Sequence, residues 1–419
     1  MFSDIFPPDM GGGATRAYNI AKCLAQQGHN IQIVTLWPHY PIGLLKLKAL
    51  RLKETQKRNW RIIRLPTLGL PHKGFFNRLI NYCWYAFFSL IALAKIRYSK
   101  VIFCSGPHPL TDFSAYIFKL VKRAKMIVDL SDLWPETLPF ESSPVYRLVQ
   151  GIGYTLNKLI LRFLSDGIVI FNERALNFIR SRYDYRKLTA IVPNFVDTHT
   201  FFYDQRTKTK KETLTNLISE HIVSKFVVLY HGVIGPYQKI ENVVKAARDA
   251  REVHRILFLI IGDGEEKERV MSLAKEEGLN NVIFLPMISR KAVAKVVAES
   301  DLGLVPVVSN NPLMTYISMT TKALEFLSCG TPIIAPKDSY IGRIASTAKV
   351  GYEVDFRDPS QIFQAIRLAS DNPIIFQKMR KQARWTACQH FSYDKLCQVL
   401  SSMIVSLDKI DTTQKIEGR

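Results

Sequence analysis

The sequence predicts an α/β protein built from two doubly wound, Rossmann-like domains in tandem. Strand-like runs rich in Val, Ile and Phe alternate with helical runs along nearly the whole chain, the pattern of parallel sheets joined by crossover helices. That rhythm breaks once, in a polar stretch around Asp197 to Ser224 that contains QRTKTKKETLTN, and then restarts. At 419 residues the chain is also too long for one ordinary core. The expected domains are 1–197 and 198–379, followed by one or two closing helices and a tail at 411–419.

The elements follow in order. MFSDIFPPDMGGG leaves only Met1 to Ile5 for a first buried strand before its glycine turn. Such strands usually run about 5–6 residues and are mostly apolar, so a few apolar residues are expected upstream. Next, ATRAYNIAKCLAQQGHNIQIVTL reads as helix, turn at Gly28, then strand. KVIFCSGPHPLTDFSAYIFKLVKRAKMIVDLSDLWP is strand, loop, helix, strand, and GIVIFNERALNFIRSRY and LTAIVPNFVD continue it. After the break come FVVLYHGVIG, a helix to about Val253, ILFLIIGDGEEKERVMSLAKEEG, NNVIFLPMIS and SDLGLVPVV. TTKALEFLSCGTPIIAP then marks a helix at both ends. Thr320 and Thr321 offer capping hydroxyls, Gly330 supplies a left-handed stop, and Pro332 forbids continuation before a β-prone PIIAP. Lys322 and Glu325 stand three apart in that helix and share a face, as a surface ion pair or as working groups. The closing KIEGR reads as a protease site left from a tag or as native sequence.

The net charge of +21 calls for an acidic partner: nucleic acid, an anionic membrane surface or phosphorylated substrates. Most of the excess sits early, since Lys46 to Lys125 contains only Glu54 and Asp112 as acids. Within it Leu79 to Ala94, LINYCWYAFFSLIALA, is apolar nearly all round but shorter than the ~20 residues that span a bilayer. A core helix and a helix dipping into lipid headgroups between flanking Lys and Arg both remain open. RNA recognition needs aromatics interleaved with basic residues, and here they form a separate block, so no nucleic-acid partner is expected. Six scattered cysteines without a CxxC pair, and no secretory signal, predict reduced thiols in a cytosolic compartment. No His or Cys cluster has ligand spacing, so no metal is expected.

The segments FPPDMGGGATRAYNIAKCLAQQGHNIQIVT, PNFVD, YHGVIG, IIGDGEEKERV, NVIFLP, SDLGLVP and TKALEFLSCGTPIIA occur in order at sensible spacing. Together they resemble family 4 of the retaining glycosyltransferases, over nearly the whole chain. SGPHPLTDFSA and DLSDLWPE are more narrowly similar to the branch that builds O-antigen and capsular repeat units on a polyprenyl-diphosphate carrier. The resemblance implies the GT-B fold, two Rossmann-like domains facing each other across a cleft, with the helices at about 380–410 packing back on the first domain. It implies a nucleotide-sugar donor, UDP-linked by expectation, and no cofactor or metal.

Residue by residue, the resemblance places Lys322 and the helix start at Thr320, Thr321 and Ala323 on the donor diphosphate, and Glu325 on the ribose hydroxyls. The chemistry agrees: a helix N-terminus and a lysine oppose the charge of a diphosphate leaving group, and a carboxylate can accept two hydroxyl donors. Gly232, Gly262 and, less distinctly from a solvated residue, Lys239 fall near the same diphosphate. Met287 and Ile288 fall at the base or in the core, and Gly12 and Gly13 beside the transferred sugar or in a plain turn. Asp132 stands as the first domain's carboxylate at the reacting centre, or as a turn residue beside Trp134 and Pro135.

Two departures stand out. Ile317 occupies the place of the first acid in a Glu-x7-Glu pattern, which leaves the donor sugar open, and Ser131-Asp132 replaces a common His-Asp pair. Retention through front-face displacement is expected, with catalysis by Asp132, Lys322 and Glu325. Asp129 of DLSD belongs to a buried strand pattern rather than a metal pair. The implied acceptor is a polyprenyl-diphosphate-linked glycan, which would put the basic first domain on the inner face of the cytoplasmic membrane. A sugar-nucleotide epimerase would need an acid/base cluster that the sequence lacks. A non-catalytic sugar-nucleotide or lipid binder would keep the helix site without turnover.

Overall fold

The computed structural model describes residues 1–9, 11–39, 52–57, 59–68, 70, 75–106, 108–137, 144–202, 211–218 and 224–417. Much of the polar stretch after Asp197, Met10 and the last two residues lie outside this set. The chain forms two compact units, Met1–Pro193 with Asp394–Arg419, and Asn194–Tyr393.

The first unit opens on helix α1 (Gly12–Gln26), followed by β1 (Ile31–Leu36), β2 (Lys53–Lys57), β3 (Trp60–Leu65) and α2 (Phe75–Ala92). It continues through β4 (Val101–Cys104), α3 (Phe113–Lys122), β5 (Lys125–Leu130), α4 (Pro144–Leu159), β6 (Gly167–Ile170), α5 (Glu173–Tyr183) and β7 (Leu188–Ile191). Strand order is β2-β3-β1 and β4-β5-β6-β7, parallel except for β2 against β3. The opening residues join the two halves: Phe2 bridges both Val34 and Cys104, and the Phe2 and Ser3 amides donate to Phe103 and Val34 carbonyls. Met1 to Asp4 thus lie between β1 and β4, where the first strand was expected.

Two contacts anchor α1, one to the sheet and one to the closing helix. Arg16 of α1 donates from Nε and Nη2 to Asp129 of β5, at 2.9 and 2.7 Å, with both side chains buried. This pairing explains why Asp129 sits in a buried strand. Cys23 of α1 and Cys397 of the last helix (Tyr393–Glu417) form a disulfide, with Cα atoms 5.4 Å apart. That corrects the expectation of uniformly reduced thiols. The two residues are 374 apart in sequence, so only the return of the chain to α1 brings them together.

The second unit is a six-stranded, all-parallel sheet of order β10-β9-β8-β11-β12-β13. Its strands are β8 (Phe226–Val233), β9 (Ile256–Asp263), β10 (Val282–Leu285), β11 (Leu302–Leu304), β12 (Ile333–Pro336) and β13 (Gly351–Val354). Strand order reverses between β8 and β11, the point where doubly wound sheets open a crevice at their carboxyl ends. Apolar layers cover both faces, with Val227, Leu229 and Phe326 in one and Val228, Tyr230 and Phe258 in the other.

The closing segment divides differently from the expectation. Helix Pro373–His390 belongs to the second unit, where Arg384 donates to the carbonyls of Ser328, Phe201 and Thr198. Only from Asp394 onward does the chain join the first unit. Burial of Arg380 and Ala383 beside the second unit's core fixes this part of the segment there. The apolar block at Leu79 to Ala94 is mostly α2. Tyr85, Ser89 and Ala92 are buried, with the Tyr85 hydroxyl donating to Val34 O at 3.0 Å, whereas Ile80, Phe87 and Ile91 are exposed. One face is therefore core and the other bare apolar surface.

Candidate functional site

The helix Thr321–Ser328 begins and ends as its sequence predicts. Thr320 is extended at φ −85° and ψ 146°, Gly330 turns left-handed at φ 62°, and the Thr331 amide closes back to Phe326 O at 2.9 Å. The Thr320 side chain, however, does not cap the first turn, and its buried Oγ1 has no hydrogen-bond partner among the described residues. An uncapped helix start with a spare hydroxyl suits an anionic ligand.

Lys322 and Glu325 do not form a direct ion pair. Lys322 Nζ lies 4.1 Å from the centre of the Tyr230 ring, over the end of β8. A Cβ added to Gly232, which has φ 127°, would stand 3.1 Å from that Nζ, so glycine is what lets the ammonium lie against the backbone. Glu325 is buried. Its Oε1 accepts from Arg290 Nη2 at 2.8 Å, and its Oε2 faces His231 Nε2 at 3.6 Å. Arg290 opens helix Arg290–Glu299 behind a Ser289 N-cap, whose Oγ accepts from the Ala292 amide. Four elements converge here: the β8 end, the turn after β10, the Arg290 helix and the Thr321 helix.

Burial sets the protonation states. It pushes Lys322 down to about 7, with Glu325 acting in the opposite direction. Glu325 is raised by the same burial, opposed by Arg290 and then Lys322. His231 is pushed down to about 3, first by burial and then by Lys322 and Arg290, so it is a neutral imidazole. The site therefore holds a lysine poised near neutrality beside a carboxylate whose charge an arginine supports. Sites that bind or transfer charged groups concentrate such perturbations.

The other candidates of the second unit fall around this centre. Gly262 on β9 pairs with Gly232, and a Cβ there would stand 1.9 Å from Gly232 O, so the two strands meet here only because Gly262 lacks a side chain. Ala323 is fully buried in the helix. Lys239 has φ 46° and directs its Nζ to Glu241 at 3.8 Å. Met287 is exposed, while Ile288 packs against the core. Ile317, in the place of the first acid, is buried at the end of the short helix Pro312–Tyr316.

In the first unit, Gly12 and Gly13 are exposed at the start of α1, behind Gly11 at φ 111°. Asp132 sits in the turn after β5, exposed, with Oδ1 accepting from the Thr137 hydroxyl at 2.7 Å. Sequence reasoning missed His231, Arg290 and Tyr230. Tyr230 and His231 flank Gly232 in YHG, so the glycine motif already pointed at them. Arg290 had no signal, because nothing in its spacing links it to Glu325.

Residues 217–386 match the family model described as glycosyl transferases group 1. The chain is 24% identical to N-acetyl-alpha-D-glucosaminyl L-malate synthase of Bacillus anthracis, covering 98% of this chain and 97% of that protein. It is 24% identical to a putative colanic acid biosynthesis glycosyl transferase of Escherichia coli K12, over 72% of this chain and 74% of the other. Among solved structures, Anabaena HepE in complex with UDP superposes with a TM-score of 0.67 at 17% identity, covering 94% of this chain and 96% of that one. The matched stretch contains the whole Lys322–Glu325–Arg290–His231 cluster, and the chain has the GT-B architecture of two Rossmann-like domains, the fold of the solved glycosyltransferases it is similar to.

Proposed function

We propose that this protein is a retaining glycosyltransferase that moves a sugar from a UDP-type nucleotide-sugar donor to a polyprenyl-diphosphate-linked glycan at the cytoplasmic membrane surface. One observation carries the donor half of this reading: Lys322 lies against Gly232 at the uncapped start of a helix while Glu325 is held nearby on the same helix. Lys322 and the first-turn amides meet the diphosphate, and Glu325 takes the ribose. A similar structure solved with UDP, and relatives named as an N-acetyl-alpha-D-glucosaminyl L-malate synthase and a putative colanic acid biosynthesis glycosyl transferase, support a nucleotide-sugar reaction.

In the reaction, the acceptor hydroxyl attacks the anomeric carbon as the bond to the β-phosphate oxygen breaks. The acceptor proton passes to the leaving phosphate oxygen on the same face, which keeps the configuration. Charge grows on the diphosphate, and Lys322 and the helix dipole oppose it where it grows. Asp132, oriented by Thr137, aligns the acceptor hydroxyl.

The acceptor half rests on the outer faces of the first unit's helices. Leu148, Ile152, Leu159 and Phe163 follow one stripe of α4 and its extension, with Leu148 64% and Phe163 65% exposed. Arg147, Lys158 and Arg162 are exposed on the adjoining face, each directly preceding one of these apolar residues, and Pro144–Leu164 contains no acid. Among the described residues no helix is long and apolar enough to cross a membrane. An apolar and cationic face of this kind suits an in-plane seat on anionic lipid.

The test is a binding and hydrolysis screen of the full chain over a panel of UDP-, GDP- and ADP-sugars. A slow hydrolysis of one donor is expected, and it should fall at least tenfold on Glu325→Gln, the loss of a charged hydrogen-bond acceptor. Absence of binding to every sugar nucleotide would overturn the reading.

A further inference from the structure

We propose that His231 is a donor-recognition residue: its Nε2 and Glu325 Oε2 together take one hydroxyl of the donor's ribose. This rests on the reading of the Thr321 helix as the donor site. The two atoms stand 3.6 Å apart, too far for a good hydrogen bond to each other and close enough for one oxygen to reach both. His231 Nε2 is buried and makes no hydrogen bond among the described residues. A buried polar atom left so is costly unless a ligand or water completes it. Glu325 Oε1 is already taken by Arg290, which leaves Oε2 as the acceptor facing the imidazole.

The chemistry of the gap selects its occupant. His231 cannot be the cation of an ion pair, because burial and the Lys322 and Arg290 charges keep it neutral. A neutral ring has one N–H, and the carboxylate in front of Nε2 favours that proton on Nε2. A group that meets both atoms from one side must accept from Nε2–H and donate to Oε2, which a hydroxyl does. A phosphate oxygen has no proton to give and would add negative charge beside Glu325. An apolar base edge would leave both atoms unpaired. The ring has little freedom to turn away, since it packs 5.0 Å from Phe326 of the same helix. Neighbouring residues at the end of β8 thus serve different parts of one ligand. Tyr230 and Gly232 shape the Lys322 side, and His231 shapes the ribose side.

Isothermal titration of the full chain with UDP, GDP and ADP identifies the tightest nucleotide, and its 2′-deoxy and 3′-deoxy forms are then compared. Wild type should lose about tenfold in affinity for one of the two deoxy forms, the scale of one good hydrogen bond. His231→Phe keeps a ring without the N–H. It should bind the parent nucleotide about tenfold more weakly and show a smaller loss with that deoxy form than wild type does, because Glu325 Oε2 still accepts from the hydroxyl. His231→Gln restores a donor and should recover part of the loss, which covers the case in which the Phe variant fails to fold. Parent affinity unchanged in a folded His231→Phe, or a wild type indifferent to both deoxy forms, overturns the role of His231 alone. In the first of these cases a concurrent loss on Glu325→Gln leaves the donor reading standing. Failure of all three nucleotides to bind wild type overturns both readings together.

Discussion

Donor binding should be accompanied by proton uptake at Lys322. In the free protein burial holds this lysine at about 7, so near neutrality it is only partly charged. A diphosphate placed against Nζ is an opposite charge at close range, which typically raises an ammonium by about 1–3 pKa units. Taking a bound value of about 9, the sign follows directly. The bound pKa exceeds the free one, so the electrostatic gain is complete below about 7 and is lost as pH rises toward 9. Affinity should fall about tenfold between pH 6 and pH 8, and about 0.7 proton should be taken up at pH 7.5.

The assay is calorimetry in buffers of different ionisation enthalpy, using an intact nucleotide-sugar, whose diester diphosphate carries no terminal phosphate proton of its own. Lys322→Met should bind more weakly and lose the slope. His231 does not confuse the result, because it is pushed to about 3 and stays neutral throughout this range. Glu325, raised by burial, adds a limb of opposite sign, because its protonation as pH falls removes the ribose acceptor and lowers affinity. An affinity that is flat above pH 6, or a slope that survives in Lys322→Met, would refute the assignment of the diphosphate to this lysine.

Two further outcomes bear on the first unit. Asp129→Ala strands the buried Arg16 guanidinium and should cost about 3–5 kcal/mol in denaturant melts, while Arg16→Met with Asp129→Leu should restore most of it. A stability change under about 1 kcal/mol would contradict the buried pair. Leu148→Ser with Phe163→Ser removes two exposed apolar side chains and should leave the melting transition in place. It should weaken sedimentation with anionic phosphatidylglycerol vesicles by about tenfold or more, and unchanged sedimentation would remove the membrane seat from α4.

What was legible in the sequence is what depends on neighbours along the chain. The repeating strand and helix periods gave two parallel sheets, because each period is set locally by which face is buried. The ends of the Thr321 helix were legible for the same reason, since Gly330 and Pro332 act within one turn. The junction at Asp394 was not. Whether the segment from about 380 packs on one unit or the other depends on Arg384 meeting the carbonyls of Ser328 and Phe201, which no local pattern records. The Cys23–Cys397 bond escaped likewise, joining residues that are far apart along the chain.

The site shows the same limit in a more consequential form. From spacing alone Lys322 and Glu325 are partners, and a surface ion pair between them would neutralise both. Here Arg290 takes one oxygen of the carboxylate from outside the helix at 2.8 Å. Lys322 is left against Tyr230 and the Gly232 backbone, destabilised as a cation by burial and only weakly supported by Glu325. A lysine in that state gains from an arriving anion, whereas a lysine already paired would have to give up a partner first. Arg290, which the motifs did not mark, is therefore the residue that separates the local pair, and on the proposed reading it leaves Lys322 for the diphosphate and Glu325 for the ribose.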